Sequence, residues 1–542
     1  MALLVTNIPW TDGSADPRAA LAERLGVAEA RITALTLLKR SVDGRRRPPL
    51  WLANYRVELD DLAVEAEVLA RAPHGVRTFS SRDEARYESE GLVAAPARAP
   101  WPAGVRPIVV GAGPAGLFAA LRLGEAGAGA ILLERGGPVE ERHHAVRRFW
   151  RHGELDPETN VVFGEGGAGA FSDGKIYTRR RDGELGWVFQ RLVDMGADPE
   201  ILEEGWAHLG TDRIRELLPR LRARLAELGV EVRFHAPVTG LLTEGEGAAR
   251  RCVGVRLASG ELLRGGPVIV AAGHSARDVW AWMLEAGAQA EQRPIHIGAR
   301  IEHPQRLIDQ GLYGGPRGDL PPASYRLTSR PSDGRAAHTF CMCPGGTVVA
   351  ASNHAGRVVV NGMSYSGRRA FFANSAVIVE VRPEDYGGAD ALAGTRFQDG
   401  IEARAFQVGG GQFKAPAQRV EDLLAGRESR EIGRTTYTLG VTPADLREVL
   451  PAPIIDGMIT AICHFDERIR GFAGGEAVLI APETRTTAPL RFLRGADLSS
   501  PSVADLMPVG EGAGYAGGIA SAALDGFRAA NVLIERFCPR RT

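Results

Sequence analysis

The stretch PIVVGAGPAGLFAALRLGEAGAGAILLERGG, residues 107–137, decides the fold. It reads as an apolar strand, a glycine turn, an amphipathic helix and a second strand within about thirty residues, the context that a dinucleotide-binding βαβ unit demands. Inside it, Gly111-Ala112-Gly113-Pro114-Ala115-Gly116 fits G-x-G-x-x-G. The first glycine permits the tight turn, the second lets backbone approach a pyrophosphate, and the third allows close packing of helix on strand. The helix N-terminus then offers free N–H groups and its positive dipole end to phosphate. Glu134 closes the second strand, followed by Arg135. A carboxylate there can accept from a ribose hydroxyl.

A second glycine loop, VVFGEGGAGAFSDGKIY at 161–177, matches the same letters through Gly164, Gly166 and Gly169. No amphipathic helix follows it, and no strand ending in an acid, so it fails the contextual test. Its small residues, Gly167 and Ala168 among them, still require something to come close to the backbone. The expected occupant is the other end of the same cofactor, with Ser172, Asp173 and Lys175 offering polar groups to it or to a substrate.

The C-terminal stretch LMPVGEGAGYAGGIASAALDG, residues 506–526, chooses the cofactor. An NAD-dependent dehydrogenase has no use for another strand, acid and glycine-rich helix start, so the reading is FAD. Glu511, after Gly510, is expected to take a ribityl or phosphate-side hydroxyl. The helix starting at Gly518 and Ile519 is expected to aim its N–H groups at the pyrimidine edge of the isoalloxazine, where charge collects on reduction.

From residue 108 onward the arrangement resembles the glutathione-reductase-type FAD superfamily. More narrowly, FGEGGAGAFSDGKIYTR, AAGHSARDVW, RIEHPQ, FCMCPGGTVVAASN, NGMSYSGR and ETRTTAP resemble a bacterial family of largely uncharacterised FAD-dependent dehydrogenases, whose members carry a small N-terminal domain. The resemblance implies flavin contacts at Gly111, Gly113, Gly116, Glu134, Gly510, Glu511 and Ile519, with the backbone of Val238 near adenine. Ala272 and Gly273 match that family's strand end close to the cofactor. It names no substrate.

The expected fold class is α/β: a Rossmann-like FAD-binding domain at 106–280 with 496–542, an inserted mixed α+β substrate or cap domain at 281–495, and a small α+β domain at 1–90. A Pro/Ala-rich linker at 84–107 separates the small domain from the FAD-binding domain. Helix signals cover 211–229, with Thr211 or Asp212 as cap.

Basic and acidic residues balance, 65 against 66, so no overall positive field favours nucleic acid. Arg45, Arg46 and Arg47 read as a solvated turn. Five scattered cysteines fit a reducing, cytoplasmic setting without metal sites, and no apolar run spans a membrane. NAD(P)H is a conceivable transient electron donor beside the small-molecule substrate. Only Lys39, Lys175 and Lys414 are lysines. A lysine kept in a glycine loop suggests a role that arginine would not serve. Lys175, Arg485 and His464 are the candidate catalytic residues, with His274 close behind. Arg485 could hold a carboxylate or form an ion pair with Glu483 or another acid. Cys341 and Cys343 read as two buried residues on one face of a strand.

Overall fold

The computed structural model describes residues 2–10, 16–44, 49–81, 83–84, 99–176, 183–203, 208–331 and 334–539. The Arg45–Arg47 turn and most of the expected linker lie outside them.

The parallel sheet holds strands Leu506–Pro508, Val268–Val270, Ile108–Val110, Ile131–Leu133 and Glu231–Arg233, in that spatial order. All four pairings are parallel. Side chains alternate across it, as a pleat requires. Val109, Leu132, Ile269 and Met507 meet helices Pro114–Glu125, Thr211–Glu227 and Ile519–Phe537. Ile108, Val110, Ile131, Leu133 and Val268 meet a three-stranded antiparallel sheet of Val238–Glu244, Arg251–Leu257 and Leu262–Arg264. The C-terminal strand thus adds beside Val268–Val270, and its helix packs on the fingerprint helix. Gly526 makes that contact possible, because a Cβ there would collide with the Ala115 carbonyl.

The expected cap on helix Thr211–Glu227 differs. Gly210 occupies the cap position without a side-chain bond. The Thr211 hydroxyl instead donates to the Ala170 carbonyl at 2.7 Å, tying the helix to the second glycine loop.

The inserted region is built on a seven-stranded mixed sheet, ordered Thr328–Ser329, Ala337–Cys343, Phe372–Val381, Ile295–Pro304, Val478–Glu483, Ala415–Arg419 and Val441–Pro443. Helix Ala452–Asp466 buries Ile455, Met458, Ile462 and Phe465 in that sheet's core. The antiparallel pair Ala290–Gln292 with Leu490–Phe492 carries the chain into and out of the region.

Residues 3–78 form β-α-β-β-α-β, with strands Ile32–Asp43, Leu50–Leu59, Leu3–Pro9 and Val76–Thr78 side by side. This is the split βαβ, ferredoxin-like arrangement. Its core is Leu3, Val5, Ile8, Leu21, Leu25, Val57 and Val68. The unit docks on the main body through Arg40, which pairs with Glu200 and whose N–H donates to the Glu203 carbonyl at 3.0 Å. The Arg40 guanidinium also lies over Trp10 and Trp51, at 5.3 and 6.0 Å.

Candidate functional site

The two glycine loops lie against each other. The Gly166 N–H donates to the Ala112 carbonyl at 2.8 Å. A Cβ on Gly167 would stand 2.9 Å from Gly113 Cα, so the second loop admits no side chain there. Gly116 sits behind the site, where a Cβ would collide with the Gly111 carbonyl. Its task is to bring the helix onto the strand.

Glu134 fastens this assembly. Its buried carboxylate accepts from Ala112 N at 2.7 Å, Gly164 N at 2.9 Å and Gly136 N at 3.0 Å. A carboxylate accepts in about four directions, so one remains for a ribose hydroxyl. Arg142, fully buried, holds the second loop by donating to the carbonyls of Asn160, Val161 and Glu165 at 2.8, 2.7 and 2.7 Å. Sequence reasoning missed Arg142, because it lies in helix Val139–His152, which carries no ligand motif. Asp525 was missed likewise. Its carboxylate accepts from Gly510 N at 2.7 Å and pairs with Arg494 at 2.9 Å.

A single cavity brings together nearly all the residues expected to hold a cofactor. Gly111, Gly113, Pro114, Ala115, Glu134 and Arg135 line it, with Gly167, Ala168, Ser172, Val238, Ala272 and Gly273. So do Gly510, Glu511, Gly518 and Ile519 from the far end of the chain. A Cβ built on Gly273, Gly517 or Gly518 would meet nothing within 4 Å. The walls are therefore backbone, opening on a space that a dinucleotide can fill. Arg135 itself is engaged elsewhere, with Glu158 at 2.6 Å and Asp278 at 2.9 Å.

The cap contributes Phe340, Cys341, Asn361, Glu483, Arg485 and Thr486 to the same cavity, opposite the loop that carries Lys175. Lys175 Nζ lies 2.9 Å from Asp173 Oδ2 and donates to the Met342 carbonyl. Asp173 also accepts from the Ser364 hydroxyl, and His208 Nε2 lies 3.3 Å from it. Burial works against the Asp173 charge, yet Lys175, His208 and Ser364 hold the carboxyl well below its usual range. Burial lowers His208 despite that carboxylate, favouring a neutral imidazole.

Arg485 is in an ion pair, with Glu402 rather than with the neighbouring Glu483. Nε and a terminal nitrogen donate to the two Glu402 oxygens at 2.9 and 2.7 Å, and the remaining nitrogen donates to Asn353 Oδ1. Glu483 belongs to Arg300, which is wholly buried and also donates to Asn361 and Asn374 at 2.9 and 3.0 Å. His274 Nε2 lies 2.7 Å from the Arg485 carbonyl. A carbonyl only accepts, so Nε2 carries the proton. Burial raises the nearby Glu511 carboxyl, with His274 opposing.

Two expectations fail. His464 does not line the cavity. It sits exposed at the end of helix Ala452–Asp466 and bonds Ser329 Oγ at 2.6 Å. The apolar run before it belongs to a helix packed on the cap sheet, so no strand end carries this residue to the site. The cysteines also part company, because the pairing with Phe372–Val381 breaks register between Phe340 and Cys343. Cys343 is buried, whereas Cys341, at φ +42°, is exposed toward the cavity. The surrounding walls still push the Cys341 thiol up to about 12. Among the described residues, no group of three histidine, cysteine or acidic side chains could hold a metal ion. No described helix is long and apolar enough to cross a membrane.

Protein-family models agree with the FAD reading. An FAD binding domain model matches residues 105–264, and an FAD-dependent protein, C-terminal domain-like model matches 294–486. A domain of unknown function matches 7–60. An uncharacterised protein of Clostridium beijerinckii (strain ATCC 51743 / NCIMB 8052) is 39% identical over 522 residues, 95% of each chain. Among solved structures, CtdE in complex with FAD is 11% identical, over 80% of this chain and 88% of that one, with a TM-score of 0.30. The flavin-dependent brominase Bmp2 is 12% identical over 78% and 77%, with a TM-score of 0.34.

Proposed function

The chain belongs to the same family as the Clostridium beijerinckii protein and its cofactor is FAD; from that premise we propose an oxidoreductase acting on a small organic substrate. One observation carries the reading. The cavity that the glycine loops and the C-terminal helix start enclose also contains Lys175, Cys341, Glu511, His274 and Arg485, so the nucleotide grip and a set of polar reactive groups share one space.

Bound FAD would supply the electron chemistry, a hydride transfer at flavin N5. Gly111, Gly113 and Gly167 would admit the pyrophosphate beside the N-terminus of helix Pro114–Glu125, while Glu134 would hold the adenosine ribose through its remaining acceptor direction. Val238 would border adenine. Glu511 would serve the ribityl side, and the N–H groups beyond Gly518 would face the ring. Lys175, anchored by Asp173, places an ammonium donor in the cavity wall. His274 is oriented by the bond from Nε2 to the Arg485 carbonyl, and the raised Glu511 carboxyl holds a proton more readily than an ordinary one. These two are the groups suited to proton transfer.

The parallel sheet, the antiparallel sheet on its face and the returning C-terminal strand support the finer placement in the glutathione-reductase-type superfamily. Isolated free cysteines support a cytoplasmic setting. Transient reduction by NAD(P)H fits the same reading.

The test is a substrate screen on the yellow holoprotein, following bleaching of the visible flavin bands under anaerobic conditions, with NADH and NADPH as separate arms. Reduction by one small-molecule class with turnover supports the reading. A purified protein that takes up FAD stoichiometrically but whose flavin no organic substrate or nicotinamide reduces would overturn it.

A further inference from the structure

We propose that the wall of the cavity at Arg485 continues into an anion site, built with Arg277 and Arg357, and that the substrate it receives is a small monocarboxylate. The inference rests on the oxidoreductase reading and adds the substrate class to it.

The argument starts from a charge count. Arg485 clasps both oxygens of Glu402, which is wholly buried. Arg277, whose side chain is 10% exposed, reaches the same carboxylate at 3.1 Å. Arg277 also meets Asp399, which Arg357 contacts at 2.6 Å. Three guanidinium groups therefore surround two carboxylates. Although burial opposes it, Arg485 and Arg277 hold the Glu402 carboxyl down to about 2, so Glu402 counts as a charge at neutral pH. His354 is exposed next to this group, and burial with the field of Arg485, Arg357 and Arg277 pushes it down to about 4. It adds no charge, and its depression reports the same positive surplus.

The other cations of the cavity wall are matched. Lys175 has Asp173 and Arg135 has Glu158 and Asp278, while Arg300, behind the wall, has Glu483. Beside these pairs the Arg277 cluster carries an excess, and leaving a buried charge without its counterpart is costly.

Two donors in the cluster are also idle. The Ser275 hydroxyl is buried in the cavity lining and makes no hydrogen bond among the described residues, and neither does Arg277 Nε. A buried donor left without an acceptor keeps its desolvation penalty uncompensated. Asn353 ties the parts together, donating to the Ser275 carbonyl at 3.4 Å while accepting from Arg485. One carboxylate would bring the count to three against three and supply acceptors for the idle donors, and the guanidinium fork suits that planar geometry. A single surplus charge favours a monoanion over a diphosphate, for which the glycine loops and helix N-terminus already provide. His354 and the partly exposed Arg357 carry the cluster to the surface, so the field extends outward along an entry path for anions.

The experiment uses FAD-loaded full-length protein and two probe pairs: benzoate with benzamide, and acetate with acetamide. Binding is read by calorimetry and by perturbation of the visible flavin bands. Saturable binding of a carboxylate at least ten-fold tighter than its neutral amide supports the proposal. Arg277→Gln should weaken it at least ten-fold with FAD content unchanged, and Arg357→Gln, at the outer end, decides the matter if the first variant does not fold. Equal binding of acid and amide would overturn it. So would full carboxylate affinity in the variants, or variants that lose FAD rather than the probe, since the cluster would then serve the cofactor. Because probe binding needs no turnover, carboxylate binding without any flavin reduction would sink the oxidoreductase reading alone, and turnover of neutral substrates without probe binding would sink this inference alone.

Discussion

Replacing Glu134 with glutamine tests whether the carboxylate organises the nucleotide site or merely occupies it. In the native chain one oxygen accepts from Gly136 and Gly164 and the other from Ala112. A carboxamide has a single acceptor oxygen, so its NH2 group must face at least one backbone N–H that it cannot satisfy. Hydrogen bonds to charged groups contribute about 1.5–3 kcal/mol each, and one or two are lost. A loss near 2–4 kcal/mol corresponds to about 30- to 1000-fold in affinity, at tenfold per 1.4 kcal/mol. The charge change works the other way, because removing a negative group beside a pyrophosphate should by itself tighten FAD binding. The two accounts therefore predict opposite signs. Titration of apoprotein with FAD, followed by quenching of flavin fluorescence, reads the difference directly. A dissociation constant at least 30-fold weaker is expected. A value within three-fold of wild type, or tighter, would refute the claim that Glu134 assembles the two loops.

Gly526→Ala should weaken FAD retention and lower stability by about 1–3 kcal/mol, because the added methyl meets the unyielding Ala115 backbone rather than a movable side chain; thermal unfolding of holoprotein and the FAD released on dilution check it. Lys175→Met should destabilise by about 3–5 kcal/mol by leaving buried Asp173 without its cation, whereas adding Asp173→Asn should restore much of that loss; chemical denaturation of the four proteins in the cycle reads the coupling, and additive effects would contradict the pairing. Glu302, buried and accepting from Thr436 N and Oγ1, has its carboxyl raised to about 7 by burial. The folded protein then holds a proton that the unfolded chain gives up near pH 4.5, so this residue's contribution is intact below that pH and falls as pH rises toward 7. Glu302→Gln should remove that slope, gaining up to about 3 kcal/mol at pH 8 and almost nothing at pH 4; parallel pH profiles of the unfolding midpoint for the two proteins would expose the error.

Legibility in the sequence followed the range of the physics involved. The fingerprint, the strand Leu506–Pro508 and the helix Ile519–Phe537 were readable because turn chemistry and helical periodicity are local. The small domain was readable for the same reason. Arg142, Asp525 and Glu402 were not, since each acts on backbone or charge brought near by the fold, and a buried ion looks no different in sequence from an exposed one. His464 misled because a run of apolar residues cannot by itself distinguish a buried helix from a strand. Cys341 misled through a register break, which reverses the alternation on which the reading of a strand face depends.

Taken together, the cavity's ions suggest how one space can bind a nucleotide and still discriminate a substrate. Asp525 holds Gly510 while neutralised by Arg494, and Glu134 spends its charge on three N–H groups, so the cofactor end presents shape and dipoles with little net charge. Around the cap, Arg300 is cancelled by Glu483 and Lys175 by Asp173. A field built from cancelling pairs is short in range and selects little at a distance. The uncancelled guanidinium beside Glu402 is different, because its field is not closed locally and reaches the surface at Arg357. If selection among substrates is electrostatic, it has to be made there, and raising the salt concentration should slow the capture of an anionic substrate while leaving FAD retention nearly unchanged.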